Sequence, residues 1–423
     1  VTTIGEAFEK VFPAAPVRFS AYDGSVAGDR KAAVEVRLEN ERGLRYVLTA
    51  PGALGIGRAY VAGDVTVEGV DPGDPYDLLR LFEDEFRFQR PPLTEIPSLA
   101  HAVGLKSLRP PQPPPQETPS QWRRLVNGLK HSKSRDAAAI SHHYDVSNRF
   151  YEMVLGPSMT YTCACYPSLD ATLDEAQEHK LDLVCRKLGL KPGMRLLDVG
   201  CGWGGMVRHA VKHYGVTAIG VTLSRNQASW GAKRLADEGL SDVAEVRFGD
   251  YRDVAETDFD AVSSIGLTEH IGVHNYPAYF RFLASKLRDG GRLLNHSITR
   301  SDNKHPGVPK RGFINRYVFP DGELTGSGAI AVAMQDNGFE IRHGENLREH
   351  YAMTLRDWCA NLSANWEACV AEAGLPTARV WGLYMAGSRV SFERDRIELH
   401  QLLGVKVGAD GDAAMPLRPD WGV

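Results

Sequence analysis

The chain has 423 residues, 43% hydrophobic and 24% charged. These are globular averages, which exclude disordered, collagen-like and coiled-coil classes, and the length implies two or three domains or one large core with an appendage. Lys and Arg total 49 against 53 Asp and Glu, a formal net charge of -4, so nothing indicates bulk attraction to nucleic acid and any basic surface is local.

Residues Val1 to Lys10 are polar and carry no apolar signal core. Further on, Val34, Val36 and Leu38 alternate with Glu35 and Arg37, Glu41 to Gly43 supply a turn, and Leu44 to Thr49 resume a strand-like run, which predicts a hairpin. A glycine-punctuated stretch covers Gly52 to Gly63. Asp74 as N-cap and Pro75 at the first helical position then open a helix with Leu78, Leu79, Leu81 and Phe82 on its apolar positions. Residues 1–107 therefore read as a small α+β domain with a lipid, membrane or assembly role. The run Arg109 to Ser120 (RPPQPPPQETPS) favours polyproline II, so residues 108–120 read as a linker and 121–423 as the catalytic domain. Just after it, Trp122, Leu125, Val126 and Leu129 fall at i, i+3, i+4 and i+7 beside Arg123, Arg124, Lys130, Lys133 and Arg135. Two readings stay open there: an interfacial helix on anionic lipid, or a helix packed on its own sheet with a solvated basic face.

Downstream, strand and helix alternate, the signature of a doubly wound parallel sheet. Strands are predicted at Met194 to Val199, Val216 to Val221, Ala244 to Phe248, Asp260 to Ile265 and Arg292 to Ser297, and helical stretches at Gln227 to Glu238 and Tyr276 to Leu287. The six cysteines, Cys163, Cys165, Cys185, Cys201, Cys359 and Cys369, contain no C-x-x-C pair and read as reduced thiols of a cytosolic protein. No apolar run approaches the roughly 20 residues of a membrane span.

The strongest single signal is the strand Leu196-Leu197-Asp198-Val199 running into Gly200-Cys201-Gly202-Trp203-Gly204-Gly205. Gly200, Gly202 and Gly205 also satisfy the dinucleotide pattern G-x-G-x-x-G. Against a nicotinamide cofactor, the second strand ends in Val221-Thr222-Leu223-Ser224, where a ribose-binding acid would stand. The D-x-G-x-G form, with Asp250 after the third strand, resembles the class I S-adenosylmethionine methyltransferases, and implies that Rossmann-like doubly wound α/β fold with a smaller N-terminal α+β domain. A tight turn that binds nothing is the bland alternative.

Further strings narrow the match: His143-Tyr144-Asp145, Tyr161-Thr162-Cys163-Ala164-Cys165-Tyr166, Gly249-Asp250-Tyr251-Arg252-Asp253, Glu269-His270-Ile271-Gly272, His296-Ser297-Ile298, Ile314 to Phe319 followed by Pro320, and the late Tyr384. In this order they resemble the cyclopropane-fatty-acid synthase family over nearly the whole chain, including Gly52 to Gly69. An N-terminal domain of this kind is similar to the branch acting on membrane phospholipids. His142-His143 and the Asn303 to Phe313 stretch look closest to actinobacterial enzymes that make the 10-methylene precursor of tuberculostearic acid.

The resemblance implies S-adenosylmethionine contacts at Tyr161, Thr162, Asp198, Gly200, Cys201, Gly202, Gly204, Thr222, Leu223, Gln227, Asp250, Tyr251 and Arg252. It implies methyl transfer to a cis alkene through a carbocation, with a bound bicarbonate as base held by Cys163, Glu269, His296, Ile298 and Tyr384. Such a site must exclude water and supply a carboxylate for the bicarbonate O–H and donors for its oxygens. Taken singly, Cys163 and Cys165 read equally as buried thiols, His296 as a core histidine and Tyr384 as a packing residue. A Cys163–His296 nucleophilic pair lacks an identifiable orienting residue, and Cys163 and Cys165, in C-x-C spacing, lack a second ligand pair with metal spacing. The expected partners are unsaturated acyl phospholipid at the inner face of the cell membrane, a second copy in a homodimer, and a separate reductase acting on a methylene product. One base serves both products: ring closure gives a cyclopropane, and a prior hydride shift gives the exocyclic methylene.

Overall fold

The computed structural model describes residues 2–89, 92, 104, 109–117, 146–304, 312–319 and 322–422. The amphipathic stretch Trp122 to Arg135, the His142 to Asp145 motif, residues 305–311 of the Asn303 to Phe313 stretch, and Pro320 lie outside them. The chain divides into two compact units: Val1–Thr118 with Pro309–Val318 and Trp358–Val390, and Pro119–Val308 with Phe319–Asp357 and Ser391–Val423. Residues 358–390, sequence neighbours of the catalytic strands, thus pack with the N-terminal part.

In the first unit, β1 (Arg18–Ala21), β2 (Val26–Gly28), β3 (Glu35–Leu38) and β4 (Val65–Glu68) form a sheet in the order β2-β1-β3-β4, with only the β1–β3 pair parallel. The hairpin predicted after β3 is absent, because Leu44 to Thr49 belong to the helix Glu41–Thr49. Asn40 caps this helix by accepting the Gly43 N–H at 3.1 Å, and β3 already has β1 and β4 on its two edges, which leaves no edge for a third strand. Leu44 and Val47, three residues apart, then pack on the same core as Phe19, Leu38 and Val65.

The glycine-punctuated stretch is likewise a helix, Ala53–Val61. A Cβ on Gly57 would sit 2.5 Å from the Phe313 ring, so the missing side chain is what lets that ring lie on the helix. The Asp74-Pro75 signal holds with a shift of one residue, the helix being Tyr76–Asp84 with Pro75 as its N-cap. Residues 109–117 of the proline-rich run are tied to this unit: Arg45 donates to the Arg109 carbonyl, Tyr46 OH to the Gln112 carbonyl, and Arg58 makes a two-pronged pair with Glu117 at 2.6 Å per bond.

The second unit holds seven strands: β5 (Arg195–Val199), β6 (Thr217–Thr222), β7 (Ala244–Phe248), β8 (Phe259–Ile265), β9 (Leu287–Arg300), β10 (Glu340–Asn346) and β11 (Ile397–Val405). Their order is β10-β11-β9-β8-β5-β6-β7, with β11 antiparallel to both neighbours and the β9-β8-β5-β6-β7 run parallel. The five strands predicted from sequence are all present, four within one residue at either end and β9 extended in both directions; β10 and β11 had not been predicted.

Side chains alternate between two buried faces. Leu196, Leu294 and Leu403 pack with the helices Leu173–Leu188 and Gly205–Tyr214, while Leu197, Leu293 and Leu402 pack with Tyr276–Lys286 and Ser327–Gln335. This is the doubly wound α/β arrangement expected, and its order reverses between β5 and β8, the point where such sheets open a crevice at their carboxyl ends. Among the described residues no helix is long and apolar enough to cross a membrane.

Candidate active site

The turn after β5 allows close approach. Gly200, Gly202 and Gly204 have φ of 74°, 56° and 81°, a backbone that glycine adopts without strain. A Cβ on Gly202 would meet no atom within 4 Å, so the turn faces open space there. One on Gly204 would come to 2.7 Å from Val246 Cγ2, which makes Gly204 a packing position at the N-cap of the helix Gly205–Tyr214.

Two adjoining cavities open around this turn and share Gly200, Gly202, Gln227 and Gly266. One is walled by Thr222, Leu223 and Tyr251, the other by Tyr161, Thr162, Asp198 and Cys201. Of the predicted cofactor contacts, Gly204, Asp250 and Arg252 lie outside both walls. Asp250 Oδ1 accepts from the Arg252 backbone N–H at 2.9 Å, and its carboxylate also takes the Arg252 guanidinium at 2.7 and 2.5 Å, so the pair braces the loop that carries Tyr251. Gln227 is fixed by the Thr222 hydroxyl, which donates to its Oε1 at 2.7 Å.

Asp198 sits at the floor, buried, with the Ser263 hydroxyl donating to its Oδ1 at 2.6 Å. Burial pushes its carboxyl up to about 7, opposed by the Ser263 bond and the Lys180 charge. The Tyr161–Thr162 wall hangs from the helix Leu173–Leu188: Gln177 Nε2 donates to Thr162 O at 2.8 Å and Lys180 Nζ to Thr162 Oγ1 at 2.9 Å. Sequence reasoning missed both residues. Their signal is two polar side chains, three apart, on a stripe otherwise carrying Ala176, Leu181 and Val184.

Cys163, Glu269, His296 and Ile298 lie in the same unit but outside the walls of the two cavities. Glu269, in the one-turn helix Thr268–Ile271, is buried; its Oε1 accepts the Ile298 backbone N–H at 2.6 Å and its Oε2 has no hydrogen-bond partner among the described residues. Burial pushes this carboxyl up to about 7, against the Ile298 bond. His296, two residues before Ile298 on β9, has Nδ1 3.2 Å from Gln401 Nε2, while its Nε2 is buried with no partner among the described residues. Burial first, then the charges of Lys180 and Lys187, hold its protonation well below the ordinary histidine range.

The Cys163 thiol is fully buried and bonded to the carbonyls of Ala164 at 3.1 Å and Leu347 at 3.8 Å. Burial raises its pKa well above the usual value, which is the opposite of what a nucleophilic thiol needs. Tyr384 belongs to the other unit, buried edge-on to Trp381 at 5.8 Å, and its assignment rests on the family resemblance alone.

The family model for mycolic acid cyclopropane synthetase matches residues 131–402. The chain is 60% identical over 406 residues to a "Probable fatty acid methyltransferase" of Mycobacterium tuberculosis, covering 96% of this chain and 95% of that one. It is 37% identical over 404 residues to a "Probable fatty acid methyltransferase" of Pseudomonas putida, covering 95% and 94%. Among solved structures, the mycolic acid cyclopropane synthase CmaA1, crystallised with SAH and CTAB, superposes with a TM-score of 0.60 at 34% identity, over 63% of this chain and 97% of that one. With the glycine turn, the reversal of strand order beside it and these matches in agreement, the chain belongs to the mycolic acid cyclopropane synthetase family of S-adenosylmethionine-dependent methyltransferases.

Proposed function

We propose that this enzyme methylates the cis double bond of unsaturated acyl chains in membrane phospholipids and leaves a 10-methylene branch. The observation that carries the reading is two buried polar atoms with no partner among the described residues: Glu269 Oε2, on a carboxylate anchored to the Ile298 N–H, and His296 Nε2, two residues before Ile298 on β9. Burying polar atoms without partners costs on the order of 1–3 kcal/mol each, so their persistence argues for a polar ligand. A carboxylate oxygen and an imidazole nitrogen suit a small oxyanion that bears one O–H, which is the chemistry of bicarbonate. Bound there, bicarbonate would supply the base that takes a proton from the newly transferred methyl carbon.

S-adenosylmethionine supplies the electrophilic methyl, and the chain's part is to hold it. Gly202 leaves room for close backbone approach, Gln227 and Tyr251 line the cavity beyond β6 and β7, and Tyr161 and Thr162 close the opposite side. The two relatives that span nearly the whole chain are likewise described as probable fatty acid methyltransferases. A second reading, closure to a cyclopropane, is favoured by the description of the matching family model; a different lipid or acyl-carrier substrate is the third. Peripheral attachment to the inner face of the cell membrane, assembly as a homodimer and a partner reductase belong to the proposal.

The deciding experiment incubates the full chain with S-adenosylmethionine and vesicles of cis-monounsaturated phospholipid and records proton NMR of the acyl chains. Vinylidene signals support the methylene product and high-field cyclopropane signals the ring. An unchanged alkene, with cofactor binding verified by calorimetry, overturns the phospholipid reading.

A further inference from the structure

We propose that Lys187 and Gln401 are positioning residues that lock His296 as the neutral Nε2–H tautomer, so that His296 serves the site as a hydrogen-bond donor to an anion and never as its base. This rests on the reading of His296 as part of the base site.

Strand register assembles the row. Glu345 on β10 is opposite Gln401 on β11, and Gln401 is opposite His296 on β9, so the three side chains stand side by side across the sheet. Lys187, from the helix Leu173–Leu188, lies over them. Its ammonium donates to Glu345 Oε2 and, at 2.7 Å, to Gln401 Oε1. Lys187, Gln401 and His296 are each at most 1% exposed, so no water competes for the Lys187–Gln401 and Gln401–His296 bonds.

The hydrogen-bonding capacities leave one solution. An ammonium has donors only, so the Gln401 oxygen must face Lys187 and the Gln401 NH2 must face His296. That NH2 has only hydrogens to offer, so His296 Nδ1, at 3.2 Å, must present a lone pair. In a neutral imidazole the proton then resides on Nε2, the buried nitrogen that has no partner among the described residues. Protonating Nδ1 would set two donors against each other, and Lys180 and Lys187 add further cationic repulsion from the helix above. The same charge that orients the amide thus keeps the ring neutral, and the proton-accepting work falls to the ligand beside Glu269.

The test reads the tautomer directly, by nitrogen-15 NMR of the full chain labelled at histidine, with the His296 signals identified by their loss in His296→Gln. The wild type is expected to show a protonated Nε2 and an unprotonated Nδ1. Gln401→Glu keeps the shape and the Lys187 partner but replaces the amide nitrogen by an acceptor oxygen. His296 should switch to the Nδ1–H form, with S-adenosylmethionine affinity unchanged and turnover down at least about tenfold. Lys187→Met, which lets the amide rotate, should give a mixture of tautomers, and Lys187→Arg should restore the Nε2–H form. A protonated Nδ1 in the wild type, or a tautomer that neither Gln401→Glu nor Lys187→Met alters, overturns the proposal. The base-site reading fails separately: His296→Gln with wild-type turnover would overturn it whatever the tautomer.

Discussion

Glu269 Oε1 takes the Ile298 backbone N–H at 2.6 Å because β8 ends too soon to do so. The parallel ladder closes with Ile265 opposite His296 and with Gly266 donating to the His296 carbonyl at 2.8 Å. Ile298, half-buried, is the next donor along that edge, and the Glu269 carboxylate supplies the acceptor that β8 does not. The carboxylate that completes the ladder has one oxygen fixed by backbone and the other, Oε2, without a partner among the described residues.

That division of labour predicts the outcome of Glu269→Gln. The amide oxygen can still accept the Ile298 N–H, so the local fold persists, but the ionisable oxygen is lost. Turnover should fall by about 100-fold or more with S-adenosylmethionine affinity within about twofold of wild type. Calorimetric titration beside a turnover assay checks it, and wild-type turnover would remove Glu269 from the base site.

The pH dependence of stability follows from the same group. Its carboxyl is raised from 4.5 to about 7 in the folded chain, so between those values the unfolded state releases a proton that the folded state keeps. Stability from this site is therefore full at low pH, falls as pH rises from about 4.5, and levels off above about 7. Glu269→Gln does not titrate, so it should gain on wild type across that window, by up to about 3 kcal/mol at pH 8. Denaturant unfolding of both proteins at pH 5 and pH 8 measures the difference; a gain that shrinks with rising pH would contradict the buried, raised carboxyl.

Gly202→Val should abolish cofactor binding. The site has φ 56° and open space where Cβ would go, so the side chain would project into the cleft while straining the backbone by about 1–2 kcal/mol. Thermal unfolding should shift by a few degrees, and calorimetry should show no saturable S-adenosylmethionine binding. Unchanged affinity would mean the cofactor lies elsewhere.

Cys163 should tolerate loss of its sulfur. All six cysteines are buried, and Cys163 donates to the Ala164 and Leu347 carbonyls, so the native chain should react with an aromatic disulfide reagent only as it unfolds. Cys163→Ser should keep turnover within about tenfold of wild type, since a hydroxyl can donate to the same carbonyls. Fast thiol labelling in the native state, or a loss of several hundredfold, would revive a nucleophilic thiol.

The parts of this protein that are local in sequence were legible there. The alternation of apolar residues around Leu196, Ala218, Val246, Val262 and Leu294 marks buried strands whichever neighbours they acquire. The glycines at 200 and 202 declare a turn that a side chain would obstruct, because positive φ and close approach are properties of a few consecutive residues. The family strings named Glu269 and Ile298, which the structure joins by one hydrogen bond. Leu44 to Thr49 failed as a strand because its propensity was overruled by a cap at Asn40 and by a neighbour, β3, with no free edge.

Only tertiary structure decided the rest. Gln177 and Lys180 matter because their helix overhangs the Tyr161–Thr162 wall, and residues 358–390 belong with the N-terminal unit although they sit between catalytic segments in sequence. Glu345, Gln401 and His296 are 56 and 105 residues apart along the chain and become a hydrogen-bonded row through antiparallel register across β10, β11 and β9. Strand register depends on which edges remain free once the sheet is assembled, and a periodic apolar pattern carries no record of that choice.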